Sequence, residues 1–327
     1  MDFVHVTAGD DDSGRRLDKI IRRYLNEDSL SQLYGALRKG LIKVDGKKQA
    51  PNFRVSAGSD IAIASILTSK NDSPKAGTDA GHREIDGRIV LFRNDDLLIL
   101  NKPYDISVQK ARADDTSLAD MVSEDFKARH KDSTSLSFRC GPLHRLDRKT
   151  TGIIVFSQSL KGAQFFSDAL QNRAVRKIYI ALLEGRLEGT QTWENSIQKD
   201  TSSEKFHRVT ASVQPSGKAA ETNACSIATP LACGTYRDRP VTLAQVEIKT
   251  GKKHQIRAQA AAHNHPLLGD TAYGGMVINE EQDFYLHAYR LVFGENPHGI
   301  PREILADIST NFAKMLSKCL IKIDSIL

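Results

Sequence analysis

The stretch from Gly141 to Gly152, GPLHRLDRKTTG, concentrates side chains that could do chemistry. Asp147 stands between Arg145 and Arg148, with His144 close before it and a Thr-Thr-Gly bend behind, just ahead of the apolar run IIVFS. A loop feeding a buried strand can hold a carboxylate rigidly while its oxygens stay accessible to a reacting group. The same residues also fit a surface loop with a local Asp–Arg pair, which contributes little. A second cluster, TGKKHQIRAQAAAHNHPLLGDTAYGG, runs from Thr250 to Gly275. Its middle, HQIRAQAAAHN, is an Ala-rich helix candidate with Arg257 one turn beyond Lys253. Basic groups on a helix starting after Thr-Gly can meet a phosphate or pair with a buried carboxylate, and a capped surface helix is the plainer alternative. Tyr179, in RKIYIALLEG, reads from local pattern as a strand tyrosine filling the core.

These clusters must be positioned by regular elements. Arg16 to Leu25, RLDKIIRRYL, places Leu17, Ile20, Ile21 and Tyr24 at helical spacing with basic residues between them. A second helix is expected from Ser31 to Lys39, ending at Gly40. LIKVDGKKQA then reads as a hairpin turning at Asp45-Gly46, and DIAIASI as a further strand. From Thr68 to Gly87 the chain is polar, rich in Gly, Ser and Asp, and without periodicity, which predicts a linker. Beyond it, RIVLFRNDDLLILNKP gives two strands around a turn, and GIIVFSQ, KIYIALLEG and VTLAQVEIKT give three more. Leu160 to about Gln171 carries a helical apolar stripe, and the tail from Ile300 to Leu327 is partly helical. Strands outnumber helices without regular alternation, so the fold class is α+β, with no internal repeat.

The chain's 327 residues are too long for one ordinary core and suit a large domain plus a smaller module. Its formal net charge of +6 and pI near 9.0 favour a polyanionic partner. Cys140, Cys225, Cys233 and Cys319 make no CxxC pair or repeated spacing, so neither a zinc ribbon nor a disulfide framework is indicated. His254, His263 and His265 lack an HExxH spacing. No GxSxG elbow, P-loop or strand-following GxGxxG occurs, so no nucleotide cofactor or metal is expected. The start, MDFVHVTAGDDDSG, lacks the features of a signal peptide and no stretch reaches membrane-spanning length, so a cytoplasmic protein is expected.

HRLDRKTTG, RKIYIALLEG and TGKKHQIRAQAAAHNHPLLGDTAYGG, in that order, resemble the three motifs of the RluA family of pseudouridine synthases, and NKPYDISVQ resembles its early strand-turn segment. The resemblance extends from about Val90 to Phe293. RLDKIIRRYL, SQLYGALRKGLIKVDGK and AGSDIAI resemble an S4 RNA-binding domain, and the combination is similar to the RluC and RluD type, which modifies large-subunit ribosomal RNA. The resemblance implies an S4 domain over 14–67, a linker over 68–87 and a catalytic domain over 88–327, whose central sheet is mixed and mainly antiparallel. It implies isomerisation of uridine to pseudouridine in structured RNA, ribosomal or alternatively transfer RNA, without cofactor, and a monomer suits an enzyme whose partner is a large RNA. A noncatalytic S4-containing RNA-binding protein is the competing class. Asp147 matches the essential aspartate, Arg257 the arginine paired with it, and Tyr179 the tyrosine that stacks on uracil. A buried Asp147 to Arg257 ion pair is therefore expected. Arg145 matches the arginine that fills the space left by the flipped base, with His144 and Lys102 beside it as RNA contacts. In the S4 module, Arg16, Lys19, Arg23, Arg38, Lys39 and Lys43, together with Arg15, Arg22, Lys47 and Lys48, are the expected phosphate contacts. Two positions depart from the family pattern: Thr151 stands for the usual serine and Asp105 for the usual glycine, which restricts the turn.

Overall fold

The computed structural model describes residues 2–25, 29–68, 85–110, 112, 115–130, 135–199, 209–212, 223–294 and 299–322. The chain divides into two compact units, the first made of Met1–Glu84, Met121–Gly141 and Gln158–Lys161, the second of Ile85–Asp120, Pro142–Ser157 and Gly162–Leu327. Most of the expected linker lies outside the described residues.

In the first unit, helix α1 (Leu17–Tyr24) buries Leu17, Ile20 and Ile21 completely, the face that its sequence spacing defines. Helix α2 (Leu30–Lys39) starts at Ser29, whose hydroxyl accepts from the Gln32 amide, and stops at Gly40 with φ of 72°. Both helices pack on a three-stranded antiparallel sheet of β1 (Phe3–Thr7), β2 (Ile42–Val44) and β3 (Asp60–Ala64), in the order β1-β3-β2. Two features differ from the sequence reading. The Asp45-Gly46 turn forms, with φ of 47° and 73°, but its second arm makes only one bridge, and β2 pairs instead with β3. The acidic lead-in is part of the unit: β1 completes the sheet, and fully buried Asp12 accepts from the amides of Gly9, Leu136 and Ser137 and from the Ser137 hydroxyl. The compact unit is thus larger than residues 14–67. Helix α3 (Ser65–Thr68) closes this stretch. Helix α4 (Leu118–Arg129) was not anticipated, although Ser117 and Asp120 form a reciprocal capping pair at its start.

The second unit is built on a ten-stranded, mainly antiparallel sheet. Its strands are β4 (Val90–Arg93), β5 (Leu97–Lys102), β6 (Thr151–Ser157), β7 (Val175–Glu184), β8 (Gln191–Lys199), β9 (Val209–Ser212), β10 (Asn223–Tyr236), β11 (Arg239–Ile248), β12 (Leu286–Phe293) and β13 (Glu303–Leu305). They run β4-β5-β6-β12-β7-β11-β10-β8-β9, with β13 on β12 and the β6–β12 pair parallel. Among these, β8, β9, β10, β12 and β13 were not anticipated. The α+β class and mainly antiparallel sheet agree with expectation.

All seven residues of β6 are buried. Its second residue, Gly152, has φ of 102°, and a Cβ there would lie 2.3 Å from the Ala288 carbonyl oxygen on β12. No other residue allows these two strands to meet. Helix α5 (Leu160–Gln171) has the extent its apolar stripe defines. Helix α6 (Gln255–Ala262) buries most of its residues, and helix α7 (Thr310–Lys318), in the tail, sets Phe312, Met315 and Leu316 against Ile180, Leu182, Leu243 and Tyr285.

Candidate active site

Asp147 sits in a turn closed by the Thr150 amide donating to its carbonyl, four residues before the fully buried interior of β6. Lys102, at the end of β5, holds that turn from behind. Its ammonium is fully buried and donates to the carbonyls of Pro103 (2.9 Å), Ile106 (3.0 Å) and Arg148 (2.8 Å). Burial pushes its pKa down to about 7, opposed by the charges of Asp147 and Asp105. All three donors are used internally, so Lys102 clamps the loop next to Asp147 and is corrected from an RNA contact to a structural one.

Tyr179 lies on β7, paired with Val246 of β11 and Ala288 of β12, in the middle of the sheet. Its ring lines a cavity with Asp147, Thr150, Lys177, Ile248 and Leu286. Burial, and then the Asp147 charge, raise its pKa, so the phenol stays neutral and offers a donor rather than a ready base. Lys177, two residues earlier on the same strand face, lines the same cavity, and burial lowers its pKa.

The other wall is α6. His254 caps it in the left-handed conformation, with φ of 51°, and Arg257 lies three residues on. Arg257 Nη1 is 3.4 Å from Asp147 Oδ2, and His254 Nε2 is 3.6 Å from Asp147 Oδ1. The expected Asp147–Arg257 pair is therefore present, but it is not the guanidinium's main contact. Arg257 donates through Nε and Nη2 to both oxygens of buried Asp270, at 2.7 and 2.8 Å. The guanidinium also lies 4.9 Å from the Tyr273 ring centre and 4.5 Å from that of Phe284. Burial lowers the pKa of His254 to about 4, so it is a neutral imidazole at pH 7.

A family model described as RNA pseudouridylate synthase matches residues 96–262, which hold Asp147, Tyr179 and Arg257, and an S4 domain model matches residues 15–61. The chain belongs to the RNA pseudouridylate synthase family. Ribosomal large subunit pseudouridine synthase D of Vibrio cholerae is 30% identical over 329 residues, covering 94% of this chain and 92% of its own. Ribosomal large subunit pseudouridine synthase C of Escherichia coli O6:H1 is 26% identical over 330 residues, covering 97% and 96%. The solved structure of human RNA Pseudouridylate Synthase Domain Containing 4, at 18% identity, covers 72% of this chain and 94% of its own with a TM-score of 0.54, and supports the fold.

This pseudouridine synthase is thus an enzyme that isomerises uridine to pseudouridine in RNA. Arg145 is exposed at the cavity's edge, and among the described residues its guanidinium makes no ion pair. His144 lines the cavity too, but its Nε2 accepts from the Val155 amide at 3.1 Å and its other nitrogen faces the Arg145 backbone. Burial takes its pKa to about 3, so it supports Arg145 as a neutral ring rather than binding phosphate. The three motif histidines diverge: His254 Nδ1 meets Tyr273, His263 stacks on Trp193, and His265 Nδ1 meets the Glu184 carbonyl. No helix among the described residues is long and apolar enough to cross a membrane.

In the first unit, Lys19, Arg23, Arg38 and Lys39 are exposed. Arg16 is held by Asp18 at 2.7 Å, and the Lys43 ammonium lies 5.0 Å from the Phe3 ring centre. Sequence reasoning assigned no role to Asp270 or Tyr273, although both stand in the GDTAYGG segment of the third motif.

Proposed function

We propose that this pseudouridine synthase modifies uridine in large-subunit ribosomal RNA, with Asp147 as the essential carboxylate. The reading rests on the placement of Asp147 in a cavity with Tyr179, Ile248 and Leu286 on one side and Arg257 on the other. The target is supported by the printed names of relatives that match nearly end to end, S4 domain included.

The reaction breaks the N1–C1′ bond, turns the uracil and joins C5 to C1′; the C5 proton is lost, N1 gains one, and no net oxidation occurs. The base must first leave the RNA stack, at a cost of about a few kcal/mol. Arg145, exposed at the mouth, is placed to fill the gap. Tyr179 offers an aromatic face to the uracil, with Ile248 and Leu286 lining the same cavity. Whether Asp147 attacks C1′, adds to the ring or removes a sugar proton, an ionised oxygen must be aimed at the nucleoside. Arg257 sets positive charge against that carboxylate. The exposed basic residues of the S4 module hold phosphates without reading sequence. The enzyme acts as a monomer in the cytoplasm.

The test is a map of pseudouridines, by carbodiimide modification and primer extension, in RNA from cells with and without the gene. Loss of large-subunit signals, restored by wild type and not by Asp147→Ala, is the expected result. Loss confined to transfer RNA would overturn the target. Restoration by Asp147→Ala would overturn the role of the carboxylate.

A further inference from the structure

His254 and Arg257, one helical turn apart, approach different oxygens of Asp147. Behind each stands a residue of one short segment. Asp270 takes Nε and Nη2 of Arg257, and Tyr273 Oη lies 2.9 Å from His254 Nδ1. We infer that Asp270 and Tyr273 are positioning residues that aim the two oxygens of Asp147, the first through Arg257 and the second through His254. The inference rests on the assignment of Asp147 as the essential carboxylate.

Hydrogen-bond arithmetic supports the His254 arm. The Val209 amide donates to Tyr273 Oη at 3.1 Å, so the phenol's own proton is free to go to His254 Nδ1. His254 then carries its proton on Nε2, the atom facing Asp147 Oδ1. The opposite tautomer would leave the Tyr273 proton unused and turn a bare lone pair toward a carboxylate. On the other arm, the bidentate grip of Asp270 occupies one edge of the guanidinium. Asp147 is met from the other side, by Nη1, and Arg257 cannot leave that place without breaking the grip of Asp270. Each oxygen of Asp147 is thus steadied from one side, and lone pairs remain for the nucleoside.

The segment is fixed to the sheet that bears Tyr179. The Leu268 amide donates to the Leu182 carbonyl at 2.8 Å, and Tyr273 and Gly275 donate to the Asp270 carbonyl, both at 2.9 Å. Gly269, with φ of 89°, would place a Cβ 2.2 Å from the Asp283 carbonyl oxygen. Asp147, Arg257, His254 and Tyr179 therefore share one rigid frame.

The experiment compares wild type, Asp270→Asn, Tyr273→Phe, His254→Gln and the double variant His254→Gln/Tyr273→Phe in single-turnover pseudouridine formation on a uridine-containing RNA, with RNA affinity and thermal midpoint measured on the same proteins. Small misplacements of a reacting group cost up to about 100-fold in rate. The expected result is a fall of about 10- to 100-fold in the single-turnover rate for Asp270→Asn and Tyr273→Phe, with affinity for RNA within about twofold of wild type. The double variant should lose no more than His254→Gln alone, because Tyr273 acts through His254. A wild-type rate in folded Tyr273→Phe, which removes only a hydroxyl, overturns the inference, as do multiplying losses in the double variant. Asp147→Ala, run in parallel, separates the failures: an active Asp147→Ala removes the reading beneath, whereas an inactive one beside unimpaired Asp270→Asn and Tyr273→Phe removes the positioning inference alone.

Discussion

At the scale of single residues, the two departures from the family pattern have definite consequences. Asp105 takes φ of 61°, the left-handed region that a glycine would occupy without strain, and its carboxylate pairs with Arg148 at 2.9 Å. Arg148 follows Asp147 directly, so the pair neutralises a cation beside the essential carboxylate proposed above. Asp105→Asn keeps a residue tolerant of that φ and removes the ion pair, leaving Arg148 only the neutral contact to the backbone carbonyl at 3.2 Å. The dependence of log affinity on log salt should steepen by about 0.7–0.9, one more phosphate contact, in a filter-binding salt series. An unchanged slope would show that Arg148 does not reach phosphate. Thr151 uses its hydroxyl as serine would: it meets His287 Nδ1 at 2.7 Å, while His287 Nε2 donates to the Ala306 carbonyl at 3.0 Å. Burial lowers the pKa of His287 to about 4. Between pH 6.5 and 4 the unfolded chain therefore binds more protons than the folded one, and stability rises with pH across that window. Acidification through it should cost about 3 kcal/mol from this residue. Urea denaturation of wild type and His287→Asn at stepped pH should show the variant losing that much less. Asp147, Tyr179 and Arg257 were legible because motifs carry residue type and order. Asp270, Tyr273 and the inward turn of Lys102 were not, because a carboxylate, a phenol or an ammonium looks the same in sequence whether it faces RNA or a neighbouring backbone.

At the scale of elements, the strands with clear apolar runs were legible, and those whose residues face different environments were not. The run IIVFS declares β6, since both of its faces are buried. QTWENSIQK, which forms β8, mixes Trp193 and Ile197 with Asn195 and Ser196, all buried. Asn195 is accommodated because Gln259 of α6 donates to its Oδ1 at 3.0 Å and to the Trp193 carbonyl at 2.8 Å. A partner 64 residues away makes a polar core strand stable, and no local pattern reports it. The β6–β12 contact puts a stricter demand on one residue. Gly152→Ala would place a methyl against Ala288 in a backbone conformation that L residues avoid, and the parallel pair must part. A loss of about 3 kcal/mol or more in folding stability is expected by urea denaturation, with faster amide exchange in Thr151 and Ala288. A variant as stable as wild type would mean that the strands are not held in this register.

At the scale of the whole molecule, sequence order and structural units do not coincide. Met121–Gly141 and Gln158–Lys161 belong to the first compact unit, although they lie within the span expected for the catalytic domain. Leu136 is in the apolar core formed by α1, α2 and their sheet, and Asp12 receives the amides of Leu136 and Ser137 while Arg15 bonds the Ser137 hydroxyl at 2.6 Å. A fragment beginning at Ile85 would therefore not be a clean excision of the S4 module. It would keep the frame of Asp147, Tyr179, His254 and Arg257, all in the second unit, and strip the partners from 135–141. Two amides would exchange a buried carboxylate acceptor for water, and Leu136 would lose its apolar surroundings. Hydrogen exchange on the fragment should show 135–141 unprotected while β6 and β7 remain protected, and RNA affinity should fall with a shallower salt slope because the exposed cations of α1 and α2 are gone. Protection of 135–141 equal to that in the full chain would show that this segment is held by the catalytic unit. In that case the fall in affinity would measure the S4 cations alone, and the module could be removed without disturbing the rest.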